Sequence, residues 1–365
     1  MLTRATKYFK PGLTLLDLAM LLFALPASAT PGANRQPVAS PIMADPVSIQ
    51  LCADENTATM PDGVVVNFWG FSICNDSLPI VTSPGPTLQV NAGDIVTVTL
   101  YNNLATENVS LVFPGQAYPI LTDGFLAPPD TVGVAPGGSR TYEFTATSGT
   151  YLYESGTNVG IQIPMGLYGA LVVNPTTCTT PPCAYDDSTA FDVEATLVLS
   201  EFDADLNNLA DPNTFDLLNY HPEYWLINGR AYPDTLLPNG HVSRPNQPVT
   251  SAISAAAGQR VLVRYLNPGL LHHTMQLLGT HQSVIARDGN PLFDAFDAIS
   301  ETIPSGQTTD VIITIPAAAA SGTRFPLYNR QMHLTNGPIT SSPHAPGGMM
   351  TFIEVPAPVS PIVTV

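Results

Sequence analysis

The chain has 365 residues, 44% of them hydrophobic, with 36 prolines, 27 glycines and a formal net charge of −17. That much apolar material argues against a disordered chain. The surplus of negative charge argues against nucleic acid and anionic lipid as partners, since both repel an acidic surface. Short apolar stretches broken by proline and glycine point to strands rather than helices, and the length allows one large domain or two of ordinary size.

The chain opens with Arg4, Lys7 and Lys10, continues through the mostly apolar Leu13–Leu25, and reaches the small residues Ala27-Ser28-Ala29. This order predicts an export signal over residues 1–29. A membrane anchor is the alternative, but such a span needs about 20 apolar residues and Asp17 interrupts this one. The mature protein is therefore expected outside the cytoplasm (secreted, periplasmic or on the cell surface) with no stable membrane span. Cleavage would remove both lysines of the chain and leave 9 basic and 28 acidic side chains, a net charge of −19. Residues 30–46, rich in Pro, Ala and Ser, read as a flexible leader.

From Val47 onward, strand-like segments alternate with turn signals. Val64–Trp69 and Thr87–Val90 read as short strands, the second after the Pro84-Gly85-Pro86 turn. In Ile95–Leu100, Val96, Val98 and Leu100 point to one face while Thr97 and Thr99 point to the other. Thr141–Ala146 repeats the pattern with Tyr142, Phe144 and Ala146. Residues 176–189 read as a linker, and 190–357 as a second run of strands followed by a tail at 358–365. Within it, Glu201–Tyr220 is irregular and acidic, and Gln259–Asn267 alternates Val261, Val263 and Tyr265 against Leu262, Arg264 and Leu266. Cys52, Cys74, Cys178 and Cys183 are an even set, which in an exported chain reads first as two disulfides. Cys178 with Cys183 would close a small loop and Cys52 with Cys74 would tie the first strand to the next segment, but the sequence does not choose among the pairings.

One stretch orients the rest: Gly149–Pro175, GTYLYESGTNVGIQIPMGLYGALVVNP, with strand-like runs at Thr150–Tyr153 and Gly169–Val173 around a Gly- and polar-rich connection. Before it come SPGPTLQVNAGDIVTVTLYNNL (83–104) and APGGSRTYEFTATSGTYLY (135–153). After it come YWLINGRAYP (224–233), VIARDGNP (284–291) and ETIPSGQTTDVIITI (301–315). In this order the phrases resemble the multicopper oxidase family. The resemblance implies an all-β chain of two Greek-key cupredoxin-like β-sandwich domains in tandem, the first at 47–175 and the second at 190–357.

It also implies copper chemistry, and here the residues depart from the pattern. The family's type-1 centre uses two histidines, a cysteine thiolate and a weak axial methionine, and its copper cluster uses His-x-His pairs, whose spacing puts both rings on one face of a strand. The first pair corresponds to Val112 and Pro114, the second to Glu154 and Gly156. In the second half His273 is kept, but Gln276 and Leu278 stand at the following positions. Tyr328-Asn329-Arg330-Gln331 best matches the cysteine phrase and sets Arg330 at the thiolate. All seven histidines lie at or after His221 and all four cysteines at or before Cys183, so neither half can hold an ordinary type-1 site by itself. A reduced copper site remains at His273, His344 and Met349, with Met275, Met332, His333 and Met350 close in sequence. The alternative is that these histidines only make hydrogen bonds at strand ends.

Other chemistry is weaker. Glu201, Asp203 and Asp205 form an acidic cluster without the Gly-centred loop of an EF-hand, and His272-His273 has no nucleophile nearby. The expectation is a protein with no catalytic residues and no bound cofactor, copper being the alternative. Its partner would be an extracytoplasmic protein, surface or small molecule, with a homo-oligomer left open. An oxidase completed by a partner chain's ligands ranks last.

Overall fold

The computed structural model describes residues 46–76, 79–117, 120–121, 130–179, 182–337 and 345–357. The export signal, the leader apart from Pro46, His344 and the 358–365 tail lie outside them.

The first half runs β1 (Pro46–Thr59), β2 (Val65–Ile73), β3 (Leu88–Asn91), β4 (Ile95–Asn102), β5 (Ile120–Leu121), β6 (Ser139–Thr145), β7 (Gly149–Glu154) and β8 (Tyr168–Asn174). These strands form a five-stranded sheet in the order β2-β1-β4-β6-β5 and a three-stranded sheet in the order β3-β8-β7. β1 pairs with β4, and β3 with β8, in parallel, so the chain crosses between the sheets instead of meandering. The expected alternation holds in β4: Val96, Val98 and Leu100 are fully buried, and Thr99 Oγ1 meets Thr141 Oγ1 at 3.0 Å on the outer face. Each such buried side chain stabilises the fold by roughly 1.5–3 kcal/mol. The glycine in the GLYG phrase also has a cause. A Cβ on Gly169 would lie 2.3 Å from the Tyr153 ring, whose hydroxyl donates to the Pro86 carbonyl at 2.7 Å.

The connection between β7 and β8 is not an open loop. It holds α1 (Val159–Met165), preceded by Asn158 at φ 44° and closed by Gly166 at φ 118°. Ile161, Ile163 and Met165 bury there despite Pro164 inside the helix.

The second half contains β9 (Val193–Phe202), α2 (Ala204–Asn207), β10 (Tyr224–Ile227), β11 (Ile253–Ser254), β12 (Arg260–Asn267), β13 (His273–Leu277) and β14 (Gln282–Arg287). It continues with β15 (Asn290–Ala298), β16 (Ser300–Ile303), β17 (Gln307–Thr314), β18 (Arg324–Asn329), β19 (Thr335–Asn336), β20 (Ala345–Pro346) and β21 (Met350–Glu354). An eight-stranded sheet, β15-β14-β17-β12-β9-β10-β19-β20, faces a five-stranded one, β11-β21-β18-β13-β16. The apolar core lies between them and includes Val261, Val263, Tyr265, Met275, Leu327 and Met349. Both cysteine pairs are closed, Cys52 with Cys74 and Cys178 with Cys183.

β12 differs from its sequence pattern, because both of its faces are buried. Leu266 packs with Leu152, Ile163, Tyr168 and Ala170 of the first half, and Leu262 with Ala184 and Tyr185. Arg264, on the same face, is 1% exposed. Its Nε donates to Glu194 Oε1 at 2.6 Å, and its Nη1 donates to Thr150 Oγ1 at 2.7 Å and to Asp310 Oδ2 at 3.3 Å. Thr150 Oγ1 and the Tyr185 hydroxyl also donate to Asp310 Oδ2, at 2.8 and 2.6 Å. Burial pushes the Asp310 carboxyl above its ordinary value, while Arg264, Tyr185 and Thr150 pull it back. Removing one member of such a buried pair leaves a charge without a counterpart. Arg264→Met is therefore expected to cost about 3–5 kcal/mol in urea unfolding, and Arg264→Met combined with Asp310→Leu should cost less than the single change. A single variant that unfolds at the parent midpoint would refute this account.

Candidate functional site

The second-half site forms at the start of β13, where His273 is fully buried. Its Nε2 lies 3.0 Å from Glu201 Oε2 of β9, which is also buried. Glu201 Oε1 accepts from the Leu270 and Leu271 amides at 2.7 and 3.0 Å and from the Tyr220 hydroxyl at 3.3 Å. The other ring nitrogen, Nδ1, lies 3.0 Å from Asn329 Nδ2 at the end of β18. An amide nitrogen only donates, so Nδ1 accepts and Nε2 carries the hydrogen given to Glu201. Asn329 Nδ2 also reaches Met349 Sδ at 3.4 Å, and Asn329 Oδ1 accepts from the Gln331 amide at 2.8 Å. One side-chain amide thus lies between the imidazole nitrogen and the thioether sulfur.

This arrangement corrects the sequence register. Asn329, not Arg330, faces His273 and Met349. Arg330 is exposed, and its backbone N–H donates to the Thr274 carbonyl at 2.7 Å. A strand alternates its faces, so a shift of one residue turns the side chain outward. His273 and Met349 both contact the Asn329 amide nitrogen, while the position of His344 lies outside the described residues. His272 does not join His273, because adjacent strand residues point to opposite faces and His272 is exposed. Of the nearby sulfur residues, Met275 is buried in the core and Met332 is 62% exposed.

His333, a neighbour of the site in sequence, and Trp225, which carried no sequence signal, complete the surroundings. The His333 ring stacks on Trp225 with centroids 3.6 Å apart and meets His273 edge-on at 5.7 Å. Burial, and then the neighbouring His273, lower the His333 pKa to about 4. Its Nδ1 is buried without a hydrogen-bond partner.

In the first half, the positions matched to the two His-x-His pairs do meet. Val112 forms a backbone bridge with Glu154, and Gly156 N donates to Ser110 Oγ at 3.1 Å. A Cβ on Gly156 would lie 2.7 Å from Val112 Cγ1 and 2.9 Å from Ser110 Oγ, so a side chain here would have to displace both. Burial raises the Glu154 carboxyl to about 7, and its Oε2 has no partner. Leu278 is 41% exposed and lies in an outer dimple with His281 and Ile299.

The acidic run divides its labour. Glu201 serves His273, while Asp203 caps α2 by accepting from the Asp205 and Leu206 amides. Asp203, Asp205 and Glu223 are, among the described residues, a group whose carboxylates come within 4.8 Å of one another. Asp203 Oδ2 accepts from the His221 amide and Glu223 Oε2 from the Ala204 amide, so local backbone donors account for the approach.

Tandem β-sandwiches of mixed parallel and antiparallel strands, with an imidazole and a thioether converging at one end of the second, define a cupredoxin-like protein. The structure superposes on the blue copper oxidase of Nitrosomonas europaea with a TM-score of 0.68 at 21% identity, over 85% of this chain and 86% of that one. Residues 74–177 match the family model described as multicopper oxidase. The chain is 27% identical to an L-ascorbate oxidase of Cucurbita pepo var. melopepo over 318 residues, 81% of this chain and 53% of that protein. It is 28% identical to the multicopper oxidase MmcO of Mycobacterium tuberculosis over 266 residues, 67% of this chain and 48% of that protein. The chain is thus similar to multicopper oxidases in sequence over residues 74–177 and shares their fold over most of its length. It spans about half or less of the length of the curated relatives it matches.

Two experiments test this geometry. Glu154 binds its proton more tightly folded than unfolded, so its contribution is most favourable below pH 4.5 and is lost as pH rises to about 7. Glu154→Gln should raise stability by about 1–3 kcal/mol at pH 8 and leave it nearly unchanged at pH 4, read as urea midpoints. If Asn329 holds the thiolate position, Asn329→Cys loaded with Cu(II) should acquire an intense visible sulfur-to-copper band and Arg330→Cys should not. A band only in the Arg330 variant would restore the sequence register.

Proposed function

We propose that this chain is a member of the multicopper oxidase family that does not turn over as an oxidase and acts instead as an exported binding or structural protein. The observation that carries the proposal is the Asn329 amide, whose N–H groups occupy the lone pairs of His273 Nδ1 and Met349 Sδ. A type-1 copper would need those same lone pairs, together with a thiolate. Both cysteine pairs of this chain are tied in disulfides, and among the described residues no cysteine is free. The described donors therefore do not fit a type-1 copper, and no electron-transfer step is derived through one. In the first half, the close approach at Gly156 and the carboxyl of Glu154 support the same reading for the copper cluster.

Export is supported by the signal-like start and by two disulfides, which persist in oxidising compartments. Among the described residues no helix is long and apolar enough to cross a membrane. The acidic surface favours an uncharged or cationic partner over nucleic acid.

A second reading has its own observation. His273 Nδ1 and Met349 Sδ lie 3.0 and 3.4 Å from a single atom, so an amide that swung aside would leave an imidazole and a thioether facing one point. Such a reduced site, with His344 as a further donor, would make this a copper-binding protein or an oxidoreductase. Metal analysis of purified protein, joined to oxygen uptake with a phenol as electron donor, separates the readings. Less than one copper per chain and no oxygen uptake are expected. Copper without an intense blue band, abolished by His273→Ala or Met349→Ala, would favour the second reading. A full copper complement with turnover would overturn the proposal.

A further inference from the structure

Away from the His273 pocket, a trough of about 690 Å³ opens where the later residues of β1, the start of β2 and the loop after α2 come together. Leu209, 38% exposed, and the exposed Ala210 supply apolar lining. Glu55, Glu107 and Asp211 supply charge, and the lining contains no arginine, lysine or histidine. Asn213 Nδ2 donates to Glu107 Oε1 at 2.7 Å and to Asp211 Oδ1 at 3.2 Å, which holds two carboxylates on one amide.

A separate feature of the trough concerns a hydrogen bond that is not made. Asn207 lines it and is 1% exposed. Its Nδ2 is fixed on the Asn67 carbonyl at 3.0 Å, and its Oδ1 is buried without a donor. A buried acceptor left this way is destabilising, and an N–H from a ligand would satisfy it.

The strand edge beside the trough is closed to an added peptide strand. β1 pairs with β4 only as far as Ala53, but the outward N–H groups of Glu55 and Thr57 already donate to Asp54 Oδ1 and Asn56 Oδ1, each at 2.8 Å. A small molecule is left as the occupant. A neutral saccharide would use the amides and leave the concentrated negative charge without a counterpart.

We propose that this trough binds a small organic cation. Its ammonium donates to Asn207 Oδ1 and sits beside the carboxylates of Glu107 and Asp211, and its apolar body lies along Leu209 and Ala210. The chain's net charge of −17 draws such a ligand toward the surface. The lining of the trough includes none of His273, Asn329 and Met349, so the inference stands or falls independently of copper.

The test is isothermal titration of the full chain with 2-phenylethylammonium chloride, with 2-phenylethanol as the neutral isostere and maltose as a saccharide. The amine is expected to bind in preference to both, and more weakly as salt is raised. Glu107→Gln combined with Asp211→Asn, both at sites not fully buried, should weaken binding about tenfold or more while the thermal midpoint is kept. Asn207→Leu should act in the same direction, and its folding is checked by circular dichroism. No heat from the amine with folded protein, equal binding of 2-phenylethanol, maltose in its place, or undiminished binding by the charge variant would each overturn the proposal. Copper content measured on the same samples keeps this outcome distinct from that of the proposed function.

Discussion

The buried Arg264–Asp310 pair is the constraint on which the arrangement of the two sandwiches depends. An ion pair away from water is tolerated only when its remaining hydrogen-bonding capacity is used, and here the partners come from separate parts of the chain. Thr150 belongs to β7 of the first half, Tyr185 to the segment after the second disulfide, and Arg264 and Asp310 to adjacent strands of the second half. Thr308 Oγ1 adds a bond to the Thr150 carbonyl at 2.7 Å. Apolar contacts alone would let two flat faces slide. Directional bonds to one carboxylate oxygen fix where β7 lies against β12 and β17. Because Glu154 ends the same strand, its place is set by the same network.

At the His273 pocket the principle is again satisfaction of buried polar groups. The imidazole has a donor on one nitrogen and a carboxylate on the other, the amide of Asn329 uses both hydrogens and its oxygen, and Glu201 accepts from four groups. Such a network is rigid and costly to open. By contrast, Glu154, His333 and Asn207 each retain a buried atom without a partner. Two of these, Glu154 and His333, have pKa values moved by burial toward the neutral form.

Much of the fold was legible because the signals were local and repeated. Val96, Val98 and Leu100 could be placed inside from period alone, and the GTYLY and GLYG phrases marked paired strands whose glycine the Tyr153 ring explains. α1 escaped notice because seven residues with a proline, bounded by Asn158 and Gly166, carry no helical period. β12 was half legible. The residues facing its own core were plain, but burial of Leu262, Arg264 and Leu266 depends on the other half of the chain, which no local pattern records. For the site, the resemblance pointed to His273, Met349 and Arg330, and the structure sets Asn329, one residue before Arg330, between the first two. Glu201 stood out only within an acidic run, His333 only as a neighbour in sequence, and Trp225 not at all, since their contacts with His273 come from packing across sheets.

The stacking of His333 on Trp225 has a spectroscopic consequence. The chain has two tryptophans, and they fall one to each sandwich: Trp69 in the core of the first and Trp225 against the core of the second. Each half therefore carries its own natural fluorophore, one walled by hydrocarbon and the other in face-to-face contact with an imidazole that quenches when it takes up a proton. Emission from the two indoles can report separately on the melting of each half, without any label being attached.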